Sequence, residues 1–412
     1  MSFWNEAMIK HSKRGSSAVF LCIVLSTLIA VTLTMVYAAR WKAVDSFADG
    51  VTDLGSASVL SEFDYYVQRD YGLLLLQGND RQISRKLRNY LSYSLDVLDG
   101  VSVDRCTASG SRYNVINVDM IGDQIVTYVK TVGIADVVRQ KTANDTDPDS
   151  ADPRPKHALR HGPTIVSLPS RQIPDKSIIQ KAEAAAESLK HPEAVFHGGT
   201  RKYMIDSYIL SHFNSDTTTA ADDHFFRDEV EYLLCGKLAD EENIKKTDLA
   251  LKALRFPSNL AHIYEDPEKW SAVVTAAETI TPGLLGTVTQ AGIAAAWATA
   301  ESFNDVKLLH AGYKVPLVKD ATSWAIDLDG LLNKTTDNLF LPDVNKGKTY
   351  PDYLRILLFI QDDDIKTARI LDLIQINMRR NYDADFLIQE CSLGIAIQSV
   401  VNGNEHVFDK IY

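Results

Sequence analysis

Two carboxylates at helical spacing are the first residues in this sequence with the potential for chemistry. Trp297, Glu301 and Asp305 follow one another at intervals of four, so a helix would place them on one face. Paired carboxylates can work as general acid and general base, and His262, three residues before Glu265, adds a group that titrates near neutral pH. These residues support a hydrolase hypothesis in which His262, Glu301 and Asp305 are the first candidates.

A structural role explains the same carboxylates, and it is the interpretation that we favour. Their helix is mostly apolar, and carboxylates in such a setting commonly pair with nearby bases, here Lys314 and Lys319. The sequence contains neither the G-x-S-x-G pattern of hydrolase nucleophiles nor the H-E-x-x-H pattern of zinc proteases. We therefore predict that the protein is not an enzyme.

Phosphate-binding and metal-binding motifs are incomplete. Gly347-Lys348-Thr349 resembles the end of a phosphate loop, but Pro342 stands where such a loop needs its first glycine. Two further clusters have the residue types of metal ligands without the accompanying residues that a calcium loop or a zinc site requires: Asp145, Asp147 and Asp149, and His157 with His161. We predict no cofactor and no metal.

One stretch is long enough and apolar enough to cross a membrane. From Ala18 to Ala39 there are 22 consecutive residues without a charge. A helix of that length covers about 33 Å, compared with a hydrocarbon core of about 30 Å. We predict a transmembrane helix over residues 16–40, and cleavage near Ala39, as in a secretory signal, is the alternative.

Basic residues flank this span on both sides. They are Lys10, Lys13 and Arg14 before it, and Arg40 and Lys42 after it. Basic flanks are retained in the cytoplasm, so the count of three against two favours a cytoplasmic N-terminus. The remaining chain is more acidic than the net charge of −11 for the whole protein, which argues against nucleic acid as a partner. We predict a single-pass cell-membrane protein that contacts the lipid bilayer and carries its C-terminal body outside.

A second uncharged stretch, Leu284 to Ala300, is 17 residues long. It is rich in small residues and contains Gly286, Gln290 and Gly292, which suits a helix packed inside protein better than one in lipid. We predict a packed helix here, with a second membrane span as the alternative.

The length of 412 residues predicts two or three packed units. We expect an α+β fold that is predominantly helical, with a small antiparallel sheet. The predicted ranges are a cytoplasmic basic leader (1–15), the transmembrane helix (16–40), membrane-proximal helices and strands (41–141), an exposed linker rich in Asp, Pro and Ser (142–174), and a mainly helical body that ends in a hairpin (175–412).

Apolar periodicity predicts most of the elements. The span continues as an amphipathic helix whose apolar face includes Trp41, Phe47, Ala48, Val51 and Leu54. Residues 101–122 are predicted to be extended, and 352–379 to form one helix. Asn402-Gly403, between two apolar runs, predicts a β-hairpin with a type I′ turn. Further helices are predicted over 81–98, 123–138, 175–190, 200–213, 224–238, 242–264 and 267–280.

Several segments resemble a known family. Arg14-Gly15-Ser16 before an apolar helix, AAR at 38–40 and SVLSEFDYYVQRDYGLLLL at 58–76 are similar to bacterial membrane-anchored proteins of unknown function. That family resembles the TadE/TadG-type pilins, and its genes accompany Tad (Flp) tight-adherence pilus systems. The likeness continues in QIVTYVK (124–130), EVEYLLCGK (229–237), WATAESFNDVKLLHAGYKVPLVK (297–319), YPDYLRILLFI (350–360) and ARILDLIQINMR (368–379).

The resemblance implies a pilin-like or pseudopilin-like protein that contacts pilus or secretion-system subunits through its N-terminal helix. It also implies that a prepilin peptidase cuts between Gly15 and Ser16. One position departs from the pattern, because Phe20 stands where such pilins carry glutamate, which favours a minor or accessory subunit. The alternatives are a membrane-tethered binding or sensor domain and a tethered hydrolase.

Overall fold

The structure is a computed structural model that describes residues 5–133, 167–186, 199–217, 224–283, 285–320, 322–333 and 347–412, with side chains from residue 17 onward. Its helices are α1 (Asn5–Leu60), α2 (Tyr65–Tyr71), α3 (Asp80–Leu95), α4 (Val118–Val132), α5 (Ile178–Ala186), α6 (Thr200–His212), α7 (Glu229–Cys235), α8 (Asp240–Glu265), α9 (Pro267–Ile280), α10 (Gly286–His310), α11 (Leu328–Leu332), α12 (Tyr350–Ile360) and α13 (Asp363–Asn381). Its strands are β1 (Leu76–Gln77), β2 (Val103–Ser109), β3 (Cys391–Ser392), β4 (Gly394–Val401) and β5 (Asn404–Ile411).

The described residues form two compact units, each assembled from separate parts of the chain. Unit 1 contains the chain up to Glu62 together with Gly78–Tyr113 and Gly394–Tyr412, and unit 2 contains Phe63–Gln77 and Asn114–Leu393. Residues 142–166 of the predicted linker lie outside the described residues. The predicted division into consecutive ranges stays a prediction.

Unit 1 packs the second half of α1 against α3 and a three-stranded antiparallel sheet in the order β2-β4-β5. The buried face of α1 includes Ala48, Val51 and Val59. α3 begins with a capping box formed by Asn79 and Gln82, which satisfies backbone N–H groups at the start of the helix. It then buries four residues at helical spacing: Ile83, Leu87, Leu91 and Leu95.

The C-terminal hairpin is formed as predicted. β4 pairs with β5 from Val401 opposite Asn404 to Gly394 opposite Ile411. The two turn residues have positive φ, 47° at Asn402 and 81° at Gly403. A type I′ turn requires this conformation, and asparagine and glycine adopt it at low cost.

Unit 2 is built around α13. Every residue from Ile365 to Arg379 is buried, so this helix is covered on all sides. α13 contacts α2, α4 and α7. The main hydrophobic core of unit 2 includes Val67, Ile125 and Leu233.

A smaller apolar cluster joins α8, α9, α10 and the segment before α11. It contains Ile263, Val273, Ala277, Trp297 and Ile326. Residues 286–300 of the uncharged stretch form the first part of α10, and the later ones pack into this cluster, as predicted for a helix inside protein.

The prediction of one helix over 352–379 is wrong. The chain turns at Gln361, whose backbone is extended between α12 and α13. The Gln361 side chain is fully buried and donates to the Leu234 carbonyl oxygen at 3.0 Å. This contact with a distant segment favours the turn, although the apolar periodicity of the sequence continues through it.

The prediction of an extended segment over 101–122 is correct only in its first part. β2 occupies Val103–Ser109, but α4 already begins at Val118. α4 buries Ile121, Ile125 and Val129 on one face, so packing outweighs the β-propensity of the local residues. The predicted fold class is confirmed: the chain is mainly helical, with one long apolar N-terminal helix, small antiparallel sheets and a C-terminal hairpin.

Candidate functional site

The first half of α1 exposes its apolar surface. Every side chain from Ala18 to Ala39 is exposed. Within Ser17–Leu60 the helix contains a stretch of mean hydropathy 2.6, none of which is buried. Among the helices of the described ranges, α1 is the one that is long and apolar enough to cross a membrane. Such a surface needs cover by lipid or by other apolar helices.

The polar side chains of this half are satisfied inside the helix. Four hydroxyl groups donate to carbonyl oxygens three or four residues earlier, at 2.7–2.9 Å: those of Ser26, Thr27, Thr32 and Thr34. A hydroxyl bonded in this way exposes no unpaired donor, so it is compatible with a hydrocarbon environment.

Aromatic and basic residues mark the end of the apolar half. The rings of Tyr37 and Trp41 meet edge to face, with centroids 6.1 Å apart. Arg40 and Lys42 beside them are exposed. Tyrosine, tryptophan and basic side chains are typical of the boundary between hydrocarbon and water.

The predicted processing site lies inside α1. The backbone is helical through Gly15 and Ser16, as it is at Lys10, Lys13 and Arg14, whose side chains are outside the described set. Phe20 is 68% exposed and lies on the uncovered surface of the helix. Cleavage between Gly15 and Ser16 stays a prediction.

The second half of α1 is only partly as predicted. Ala48 and Val51 are buried in unit 1, but Phe47 and Leu54 are 43% and 64% exposed. The α1 face toward the sheet carries three aspartates at intervals of four. They contact three side chains of β5 in order: Asp45 with Asn404 at 2.9 Å, Asp49 with His406 at 3.0 Å, and Asp53 with Lys410 at 2.7 Å.

Glu301 is a buried structural carboxylate. It is fully inaccessible and forms an ion pair with Lys319. It also accepts hydrogen bonds from the backbone N–H groups of Ala325 and Ile326, at 3.0 and 2.9 Å. Burial raises the pKa of Glu301, and Lys319 opposes that shift. The carboxylate therefore fastens the segment before α11 to α10.

Asp305 completes the same closed network. Its carboxylate lies 3.0 Å from Arg255 Nε and 2.6 Å from Lys319 Nζ, and it accepts a hydrogen bond from Asn259 at 3.0 Å. Burial acts to raise the pKa of Asp305, but Arg255 and Lys319 outweigh it and hold that pKa below its usual value. The predicted pairing with a nearby base holds for Lys319, whereas Lys314 forms no ion pair among the described residues.

His262 does not join these carboxylates. Its Nε2 lies 3.8 Å from the Asp266 carboxylate, and its ring centroid lies 5.3 Å from that of Trp324. Burial lowers the pKa of His262. Glu301 and Asp305 have no exposed surface, so the three hydrolase candidates do not form an open site.

The segment EVEYLLCGK contains two buried glutamates that sequence analysis left without a role. Glu229 contacts His224 at 2.7 Å and accepts from Asn377 at 2.8 Å. Glu231 accepts from the Tyr350 hydroxyl at 2.9 Å and from a backbone N–H at 3.2 Å. Burial raises the pKa of Glu231 to about 7. Neither carboxylate is accessible, so both are structural.

The segment ARILDLIQINMR lies within α13, and its polar residues also have a structural role. Its buried polar side chains each bind a different part of unit 2: Lys366 binds Asp206, Arg369 the Leu233 and Leu234 carbonyl oxygens, Asp372 the Tyr232 hydroxyl, and Gln375 the Ile388 N–H. Polar residues recurring on an otherwise apolar helix are the signal that could have indicated this role.

Gly347-Lys348-Thr349, which resembles the end of a phosphate loop, has a structural role. Lys348 pairs with Val315 through both backbone groups, and the Thr349 hydroxyl accepts from the Asp352 N–H at the start of α12. In the described part of the chain, no group of three or more His, Cys, Asp or Glu could hold a metal ion. The clusters at 145–149 and at 157 and 161 lie outside it.

Comparison with known proteins gives one match. No curated protein and no solved structure matches the chain. Residues 163–403, more than half of the sequence, match a family described only as a family of unknown function. The match covers most of unit 2 and includes the buried networks around Asp305 and α13, while α1 lies before it. The chain belongs to the Family of unknown function (DUF5702).

Proposed function

We propose that the protein is a non-catalytic, single-span, pilin-like or pseudopilin-like component of a Tad-type pilus or secretion system, with its body outside the membrane. The observation that carries the proposal is α1. It is one uninterrupted helix that is apolar and exposed from Ala18 to Ala39 and packs on its own unit from Ala48 onward. A subunit of this kind can stay in lipid as a monomer and later exchange lipid for neighbouring helices.

The exposed face of the second half supports contact with another helix. Ala43, Phe47, Gly50, Leu54 and Ala57 are exposed at alternating intervals of four and three, the spacing of helix-helix seams. Gly50 has no neighbour within 4 Å of where a Cβ would lie. Glycine inside a helix costs roughly 0.5–1 kcal/mol relative to alanine, and no described residue lies close enough to require it here. Close approach by a partner helix would explain it.

The proposed orientation rests on charge. Three basic residues precede the span and two follow it, and the chain beyond is acidic. The basic leader would remain in the cytoplasm, while the body crosses to the outside.

The N-terminal residue of the mature protein tests the proposal. Mass spectrometry of protein purified from its native membrane should find a chain that begins at Ser16 and is present in sheared pilus fractions. An intact leader on a protein that is never found with pili would contradict the pilin-like role.

A membrane-tethered binding domain is the second candidate. It is favoured by an open basic groove on unit 1, lined in part by Arg81, Arg85 and Arg88. It predicts that removing residues 1–42 leaves a folded body with full ligand binding. A tethered hydrolase has no comparable support, because its candidate carboxylates, Glu301 and Asp305, are buried and inaccessible to a substrate.

A further inference from the structure

We propose that this basic groove binds an acidic polysaccharide. The groove is open, with a volume of about 950 Å³, and runs between α3 and the strands β2, β4 and β5. All its lining residues belong to unit 1. The proposal does not depend on a role in pili.

Three arginines of α3 supply the positive charge. Arg81, Arg85 and Arg88 are exposed at intervals of four and three, so they follow one flank of the helix over about 10 Å. Among the described residues, Arg81, Arg85 and Arg88 have no carboxylate ion-pair partner, and Arg88 donates to the Val103 carbonyl oxygen at 3.4 Å and lies near Cys106. Guanidinium groups that have no carboxylate partner within the protein are available to carboxylates of a ligand.

The acids of the groove are already occupied. Asp80 accepts hydrogen bonds from the Ser109 hydroxyl at 2.8 Å and from the Gly110 N–H at 3.0 Å. Asp409 pairs with Arg112 at 2.8 Å. Arg112 brings the lining to four arginines against these two aspartates, so the groove keeps a positive excess on a protein whose net charge is −11. Its field favours an anionic ligand.

The lining lacks the features by which two other anionic polymers are usually recognised. No aromatic side chain lines the groove within the described chain, so the bases of a single-stranded nucleic acid have nothing on which to stack. The edge of β2 is closed at Ala108, because the Ser84 hydroxyl accepts from its N–H at 2.8 Å and donates to its carbonyl oxygen at 3.0 Å. An acidic peptide cannot add there as a further strand.

The remaining groups suit a sugar chain. The Thr107 hydroxyl donates to the Gln398 carbonyl oxygen at 3.3 Å and can still accept from a sugar hydroxyl, and Gln398, whose amide N–H donates to Glu405, keeps its amide oxygen for the same purpose. Val407, which is 65% exposed, offers an apolar surface to the C–H face of a ring. Carboxylates along the chain would lie against the arginines. This combination of charge, hydroxyl and C–H recognition points to a uronic-acid polymer rather than a neutral one.

Calorimetric titration of the full-length protein in detergent micelles tests the proposal, with oligogalacturonate as the probe. Dextran and polyglutamate of similar length serve as comparison ligands. We expect oligogalacturonate to bind, dextran not to bind, and polyglutamate to bind more weakly. The triple variant Arg81→Gln/Arg85→Gln/Arg88→Gln should weaken oligogalacturonate binding by at least about tenfold.

A matched control removes three exposed charges from unit 2, in the variant Arg171→Gln/Lys176→Gln/Lys245→Gln. It should change the dissociation constant by less than about twofold. Val407→Glu adds a negative charge at an exposed position of the groove and should also weaken binding. If the triple variant does not fold, this single variant provides the test. An equal loss in the control, tighter binding of polyglutamate, or no binding of oligogalacturonate overturns the proposal.

Discussion

Unit 1 and unit 2 both use charged side chains to hold their helices, but they place those charges in opposite environments. In unit 1, Asp49 and Asp53 on α1 are 58% and 46% exposed where they meet β5. In unit 2, Glu301 and Asp305 are fully buried beside Lys319. Exposed ion pairs contribute little to stability, whereas breaking a buried pair leaves an uncompensated charge. The networks of unit 2 should therefore determine stability, and the contacts of unit 1 should determine how α1 is aligned.

Loss of Lys319 should produce the largest effect. Lys319→Met leaves Glu301 and Asp305 with one base fewer in a buried site, and we expect a loss of about 3–5 kcal/mol in the free energy of unfolding. Urea denaturation followed by tryptophan fluorescence measures it, since Trp324 lies near the network. Lys314→Met is the control in the same segment and should cost less than about 1 kcal/mol. Equal losses in the two variants would contradict the comparison.

The pH dependence of unit 2 should depend on Glu231. The pKa of Glu231 is raised to about 7 from 4.5, so the folded protein holds this proton more tightly than the unfolded chain does. Glu231 should therefore contribute a fall of roughly 2–3 kcal/mol in the free energy of unfolding as the pH rises from about 4.5 to about 7.

Glu231→Gln should remove the Glu231 contribution, because glutamine can still accept from Tyr350 but carries no charge. Asp206, whose pKa burial raises to about 6, should maintain the rest of the decline. Denaturation of both proteins at several pH values measures the difference. Glu242→Gln, at an exposed position on α8, should leave the decline unchanged. An equal pH dependence in the wild-type protein and Glu231→Gln would show that the pKa of Glu231 is not raised as described.

Gly50→Ala should separate stability from assembly. The new methyl group meets open space, so unit 1 should gain roughly 0.5–1 kcal/mol through helix propensity. If a partner helix approaches closely here, the same change should reduce incorporation into pili. Thermal denaturation and pilus fractionation give the two measurements. Unaltered incorporation would argue against a seam through Gly50.

The smallest effect is expected at Lys410. Its pair with Asp53 is partly exposed, so Lys410→Met should lower the free energy of unfolding by less than about 1 kcal/mol, and high salt should abolish the difference. Denaturation at low and high salt is the measurement. A loss as large as that of Lys319→Met would remove the distinction between the two units.

Local pattern was sufficient to predict α1, the hairpin at Asn402-Gly403 and most helices, because each follows from periodicity or turn chemistry within a few residues. The turn at Gln361 was missed because its stabilising contact with Leu234 is far away in sequence. The start of α4 was missed because its neighbours in space outweigh its local β-propensity.

The candidate carboxylates show the same limit. Helical spacing correctly placed Glu301 and Asp305 on one helix, and a nearby base was predicted. The participation of Arg255 and Asn259 could not be predicted, since they lie on α8, more than forty residues earlier in the sequence. Side-chain burial, which separates a structural carboxylate from a catalytic one, is a property of the assembled fold.

The contacts between α1 and β5 have a mechanical consequence. The two elements run in the same direction, from the contact of Asp45 with Asn404 to the hydrogen bond that the Tyr412 hydroxyl donates to the Leu60 carbonyl oxygen at 2.6 Å. A force applied along the axis of α1 would therefore load these contacts together, in shear, rather than one after another. Individually weak pairs arranged in this way resist such a pull collectively.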